Sequence, residues 1–294
     1  MPDFEQYLGE AKVFVDRALM ESLPPAGSSN VADAMRYSIA AGGKRLRPIL
    51  CLAGAQVLGA EQEAVIEVAC ALEMVHTYSL IHDDLPAMDD SDLRRGKASC
   101  HRVFGEAIAI LAGDALLTMA FEKVAAYGRE EQQAEQAIRI AFELASAAGV
   151  GGMIGGQELD LVAEGKNLTL PEVEEIAALK NGALFSAALR CGALAAGAGE
   201  SELQVLSSFA RLTGKAFQIV DDLLDSKATD AELGKPVEAD QKKAKATLPA
   251  LLGVEAAQAR VDDLYRQATA ELQKLEIDTS LLQLLAQRLI YRNN

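Results

Sequence analysis

Positive charge is in short supply in this chain of 294 residues: 28 Lys and Arg stand against 43 Asp and Glu, a net −15 with histidine neutral. A field of that sign excludes nucleic acid and anionic membrane as general partners, and an anionic substrate would need metal ions or a local basic cluster to overcome it. Cysteine is sparse too. Cys51, Cys70, Cys100 and Cys191 are scattered without a CxxC or a paired spacing, which leaves out a zinc knuckle and a disulfide framework. The first residues, with Asp3, Glu5 and Glu10, lack the basic-then-apolar order of a signal peptide. Charges such as Asp114 and Arg190 are expected to interrupt every apolar stretch before it reaches membrane-spanning length. Alternating runs of Val, Ile and Thr are missing, as are internal repeats and any Pro/Ser-rich linker. These absences predict a soluble, reduced, cytoplasmic protein whose residues 1–294 form one domain.

What is present is helical. Half of the residues are hydrophobic, enough to bury a sizeable core. They recur at three- and four-residue spacing through 4–20, 30–41, 48–59, 62–85, 103–127, 132–148, 171–195, 202–225, 247–273 and 279–291. Thr169 with Glu172 and Ser201 with Gln204 fit capping boxes, while Gly42-Gly43 stops one helix and Pro48 can open the next. The expected class is all-α. The polar stretch 226–246, with five lysines and little apolar material, is expected to be a lid or a disordered segment.

Two acidic motifs lie at the ends of long apolar stretches. In "QIVDDLLD", residues 218–225, Asp221 and Asp225 are about 40° apart on a helix, so both can reach one ion. In "IHDDLPAMDD", residues 81–90, an unbroken helix would turn Asp83 and Asp89 about 120° apart. Pro86 lacks an N–H and its ring clashes with the carbonyl of His82, so the helix should kink or end and let Asp89 swing back to share a metal with Asp83. A lone Asp-Asp pair is ordinarily a solvated helix face. Two dense clusters repel themselves unless cations intervene, and hard oxygen ligands suit magnesium completed by phosphate oxygens.

Basic residues flank both. "GGKRLRP", residues 42–48, supplies Lys44, Arg45 and Arg47; "DLRRGK", residues 92–97, supplies Arg94, Arg95 and Lys97. Guanidinium and ammonium groups so placed are what phosphate recognition uses, the bland alternative being a patch for an acidic partner. His76 lies two helical turns before Asp83 on the same face. Glu73-x-x-His76 matches half of a di-iron motif, which is rejected because no second pair exists. Lys215, Gln218, Asp222 and Asp225 form a helical stripe, and Lys180 with Asn181 and Gly182 interrupts another apolar stretch. The glycines of "GVGGMIGGQELD", residues 149–160, suit close helix packing or a helix break better than a phosphate loop, with Gln157 and Asp160 in support of the site. Asp114 reads as a buried carboxylate needing a partner.

Two aspartate-rich motifs and two basic motifs in this order resemble the trans-prenyltransferase (polyprenyl synthetase) family, and within it the bacterial farnesyl diphosphate synthases, over essentially the whole length. The resemblance implies an isoprenoid-synthase-type helical bundle around a deep apolar cavity, a homodimer, and magnesium-dependent condensation of isopentenyl diphosphate with dimethylallyl or geranyl diphosphate. Residue by residue, it implies Asp83, Asp89 and Asp221 as magnesium ligands, supported by Asp84, Asp222 and Asp225. Lys44, Arg47, His76 and Arg95 match the isopentenyl diphosphate positions; Arg94, Lys180, Gln218 and Lys235 match the allylic ones, with Lys245 a weaker match. Asn181 departs from the threonine common in the family. Product length is expected at fifteen carbons. Helical projection favours Ser79 as the residue lining the cavity below Asp83, while the resemblance favours Tyr78 as its floor. Rival readings are a geranylgeranyl or longer-chain synthase and an inactive helical partner subunit; a terpene cyclase is disfavoured because "GGKRLRP" and "DDLLD" are both present.

Overall fold

The computed structural model describes residues 4–129, 131–225 and 248–291, with Glu131 and Asp225 described in their backbone alone. Lys235, Lys245 and the expected lid 226–246 lie outside the described residues.

The helices follow the punctuation of the sequence. After α1 (Phe4–Ser22), α2 (Asn30–Ala40) starts at Ser29, whose hydroxyl accepts the amide of Ala32, and stops before Gly42 and Gly43, both at positive φ. Helix α3 (Leu46–Gln56) follows with Pro48 in its first turn, where its missing N–H costs nothing. Helix α4 (Gln62–Asp83) leads to a two-stranded hairpin, β1 (Leu93–Arg94) and β2 (Lys97–Ala98), pairing Leu93 with Ala98 and Arg94 with Lys97. Within this all-α fold the hairpin is held by its turn: Arg95 and Gly96 both take positive φ, the geometry a two-residue hairpin turn requires. The expected helix 103–127 divides into α5 (Cys100–Phe104) and α6 (Glu106–Tyr127) at Gly105. A 3₁₀ turn at Glu131–Gln133 precedes α7 (Ala134–Ala148). The glycine-rich segment holds a helix of its own, α8 (Met153–Ala163).

The predicted helix 171–195 is interrupted. Helix α9 (Leu170–Ala177), opened by the Thr169–Glu172 capping box, passes through a π-helical turn at Ala178–Gly182 into α10 (Ala183–Ala195). Helix α11 (Glu200–Asp225) begins one residue before Ser201, and the Glu202 carboxylate accepts the amide of Gly199, so the Ser201–Gln204 box gives way to an earlier start. Gly253, at positive φ, divides the last long segment into α12 (Leu248–Leu252) and α13 (Val254–Leu272); α14 (Ser280–Ile290) follows.

Helix α4 runs through the core, packed by α3, α6 and α10. Small residues let α3 and α10 meet backbone to backbone: a Cβ on Gly192 would stand 1.9 Å from the Cys51 carbonyl oxygen, and one on Gly54 2.6 Å from that of Leu189. The Ala- and Gly-rich run of α10 is therefore core, as its composition suggests. One expectation is corrected. Gln62–Asp83 and Ala134–Ala163 are both long and apolar enough to cross a membrane. The first is two-thirds buried within the bundle, and the second includes the turn between α7 and α8. All four cysteines are free and buried.

Candidate active site

Helix α4 ends at Asp83, three residues before Pro86, and the chain doubles back until the Asp89 amide donates to the Asp83 carbonyl at 2.8 Å. Proline chemistry thus brings the two carboxylates to one rim, as their spacing requires. Asp84 points the other way: it is buried and takes Nε and Nη2 of Arg94 in a bidentate ion pair. Asp84 is thereby an anchor for the hairpin that carries Arg94 and Arg95.

Beneath Asp83 and Asp89 lies a cavity of about 600 Å³, walled by Tyr78, Ser79, His82, Met153, Ile154 and Leu161. Both Tyr78 and Ser79 line it. The Tyr78 hydroxyl and the Gln157 side-chain Oε1 are buried there without hydrogen-bond partners. Beside it lies a second cavity of about 860 Å³, lined by Lys44, Arg95, Glu73, Phe217, Gln218 and Asp221. Arg47, His76, Arg94 and Asn181 line both. Gly43 makes room in the second cavity, since a Cβ there would stand 2.5 Å from the Arg95 guanidinium.

The electrostatics of the two cavities differ. Burial, with Asp89 and Asp84 adding and Lys180 and Arg94 opposing, raises Asp83 to about 6. Burial and the nearby charges of Arg47, Arg95, Arg94 and Arg45 hold His76 well below the ordinary histidine range, so its ring is neutral. Arg47 is also lowered by burial and by Arg95, with Glu73 and Asp221 opposing, and its Nε has no hydrogen-bond partner. An arginine remains protonated under such a shift, so Arg47 is a buried cation aimed at a cavity.

Arg45 is a different case from its neighbours in "GGKRLRP". It is 3% exposed, at positive φ, and fully engaged: Nε with Asp16 at 2.7 Å, Nη1 with Glu73 at 2.6 Å and Nη2 with the Ile39 carbonyl at 2.6 Å. The partners of Arg45 could not be found from sequence, because Asp16 and Glu73 are separated from it by 29 and 28 positions.

On the facing side, the π-helical turn presents Lys180 and Asn181. Lys180 pairs with Asp160 at 2.7 Å, and Asn181 donates to Gln218 at 2.6 Å, which donates to Asp222 at 2.8 Å. Gly156 allows this approach, as a Cβ there would lie 2.2 Å from the Lys180 backbone nitrogen. The helical stripe of α11 is split, however. Lys215 turns toward Glu174, 3.7 Å away, and lines a separate cavity of about 290 Å³. Asp114 is corrected as well: its side chain is 59% exposed, 3.9 Å from the His82 Nε2.

Among the described residues no three His, Cys, Asp or Glu side chains gather into one metal-holding group. Asp83 with Asp89, and Asp221 on the second cavity, are nevertheless hard oxygen donors placed where a phosphate could complete an ion's shell.

The polyprenyl synthetase family model matches residues 28–281. The chain belongs to the polyprenyl synthetase family. It is 46% identical to the farnesyl diphosphate synthase of Escherichia coli K12, covering 99% of each chain, and 43% identical to the geranylgeranyl diphosphate synthase of Cyanophora paradoxa, covering 98% of this chain and 96% of that one. A crystal structure of an FPP/GFPP synthase from Zymomonas mobilis superimposes with a TM-score of 0.86 at 36% identity, covering 98% of both chains. As a polyprenyl synthetase of the trans-prenyl diphosphate synthase type, the protein is a prenyltransferase with an all-α, isoprenoid-synthase-type fold.

Proposed function

We propose that residues 1–294 act as one domain to condense isopentenyl diphosphate with dimethylallyl and then geranyl diphosphate, giving (2E,6E)-farnesyl diphosphate and diphosphate. The observation that carries this reading is the pair of adjoining cavities, one cationic and one apolar beneath an acidic rim, separated by Arg47, His76, Arg94 and Asn181. Two diphosphates can be held side by side with their hydrocarbon parts meeting between them.

Asp83, Asp89 and Asp221 would hold magnesium, which when bound neutralises the allylic diphosphate and favours its departure. Lys180, Arg94, Gln218 and Lys235 bind that diphosphate, Lys180 being aimed by Asp160. Lys44, Arg47, Arg95 and neutral His76 bind isopentenyl diphosphate and orient its double bond toward the allylic carbon. Departure of the diphosphate leaves an allylic cation, which that double bond attacks; proton loss to the released diphosphate completes the product. The apolar walls from α4 and α8 keep water from quenching the cation. Tyr78 and Ser79 stop the growing tail at fifteen carbons.

A twenty-carbon product is the second reading, supported by the 43% identity to a geranylgeranyl diphosphate synthase. Chromatography of the products made from isopentenyl and dimethylallyl diphosphates with magnesium separates the two; mainly geranylgeranyl product would overturn the farnesyl assignment. The protein is proposed to work in the cytoplasm as a homodimer. Leu111 on α6 and Ile138 and Phe142 on α7, the last two 72% and 74% exposed, suit a second copy of the chain, and sedimentation at a monomer's mass would exclude it.

A further inference from the structure

His82 has no part in the scheme above, yet it lines the tail cavity, about one helical turn above Tyr78 on α4. Its ring meets that of Tyr78 edge-on, with centroids 5.7 Å apart and planes at 77°. The ring is itself fixed from behind. Nε2 lies 3.1 Å from the Ile110 carbonyl oxygen, which can only accept, so Nε2 carries the proton and donates. The seat for this ring exists because residue 113 of α6 is glycine: a Cβ there would stand 2.2 Å from His82 Nε2 and 2.6 Å from Cδ2. No real contact is so close, and α6 cannot retreat, because its Ala112 and Leu116 are fully buried against the core.

We infer that His82, seated on Gly113, is a positioning residue for product length: it buttresses the Tyr78 ring and so sets the depth of the tail cavity. The inference rests on the reading of Tyr78 as the cavity floor. It makes two opposite predictions from two sides of one contact. A methyl group on residue 113 pushes the imidazole away from α6, and a shift toward Tyr78 and the cavity shortens the space for the tail. Removing the imidazole leaves Tyr78 without its edge partner, so the phenol can tip back and the space deepens. The phenol surrenders no hydrogen bond by tipping, since its hydroxyl has no partner.

The test is the ratio of ten-, fifteen- and twenty-carbon products formed with magnesium from isopentenyl and dimethylallyl diphosphates, which does not depend on how much active enzyme a variant yields. One methylene of pocket space is discriminated by about tenfold or more, so His82→Ala should raise the twenty-to-fifteen-carbon ratio by about tenfold. Gly113→Ala should raise the ten-to-fifteen-carbon ratio instead. In the His82→Ala background Gly113→Ala should add nothing, because the ring it displaces is gone. In the Tyr78→Ala background His82→Ala should add little. Should Tyr78→Ala lengthen the product while His82→Ala and Gly113→Ala leave it unchanged, the buttress is refuted and the floor stands. Should Tyr78→Ala itself leave the product unchanged, the floor is refuted and the buttress has nothing to act on. Full additivity of His82→Ala with Tyr78→Ala would overturn the claim that one acts through the other.

Discussion

Arg45 sits in a basic run beside phosphate-binding candidates, but its guanidinium is spent on Asp16, Glu73 and the Ile39 carbonyl. Replacing it with methionine keeps most of the volume and removes the charge. Glu73, whose side chain is 3% exposed, then loses its 2.6 Å partner. Breaking a buried ion pair from one side costs about 3–5 kcal/mol. For a protein of this size that corresponds to a fall in melting temperature of roughly 5–8 °C. The stranded carboxylate has cations within reach, since Glu73 already acts electrostatically on both Arg47 and Arg95. Capturing Arg47, whose Nε is unpartnered, would take it from the proposed isopentenyl diphosphate site. Losing a charge-assisted hydrogen bond costs about 1.5–3 kcal/mol, so KM for isopentenyl diphosphate should rise by about tenfold or more, with KM for geranyl diphosphate little changed. Calorimetry and steady-state kinetics on Arg45→Met measure both. A melting point within a degree of the parent would refute the stability argument. Equal rises in the two KM values would refute the division of the cavities.

Other outcomes follow from single contacts. Asp83→Ala and Asp221→Ala should each abolish turnover with the circular dichroism of the bundle intact; turnover that survives exhaustive chelation would remove the metal assignment. Gly156→Ala places a methyl group 2.2 Å from the Lys180 backbone nitrogen, and overpacking of this kind costs about 1–3 kcal/mol. Its kcat should fall as the Lys180–Asp160 pair is displaced, and an unaltered kcat and denaturation midpoint would show that the π-helical turn yields freely. His76 is neutral when folded, whereas an unfolded chain takes up a proton there below about pH 6.5. Stability should therefore decline as pH falls below that value, by up to about 1.4 kcal/mol per unit until the folded ring protonates. His76→Gln should flatten this part of a urea-denaturation series, and an unchanged slope would place the effect elsewhere.

Local chemistry alone determined much of this protein. The three-to-four spacing of apolar residues marked the helices, Gly42 and Gly43 ended α2, Pro86 lay where Asp89 had to turn back toward Asp83, and Thr169 with Glu172 opened α9. Each of these depends on residues a few positions apart, so each is legible along the chain. The order of acidic and basic motifs likewise carried the family. Tertiary structure decided which member of each motif is left open to a cavity and which is spent on partners within the fold. Within "GGKRLRP", where both arginines border the second cavity, it tied Arg45 to Asp16 and Glu73 and left the Arg47 Nε unpartnered, and within "HDD" it gave Asp84 to Arg94 and Asp83 to the rim. It also placed Asp16 beside Arg45, Asp160 beside Lys180 and Gly113 behind His82. Partners dozens of positions apart in sequence meet only because packed helices bring them together. Burial then obliges each charge to find a partner, a demand that one-dimensional spacing does not express.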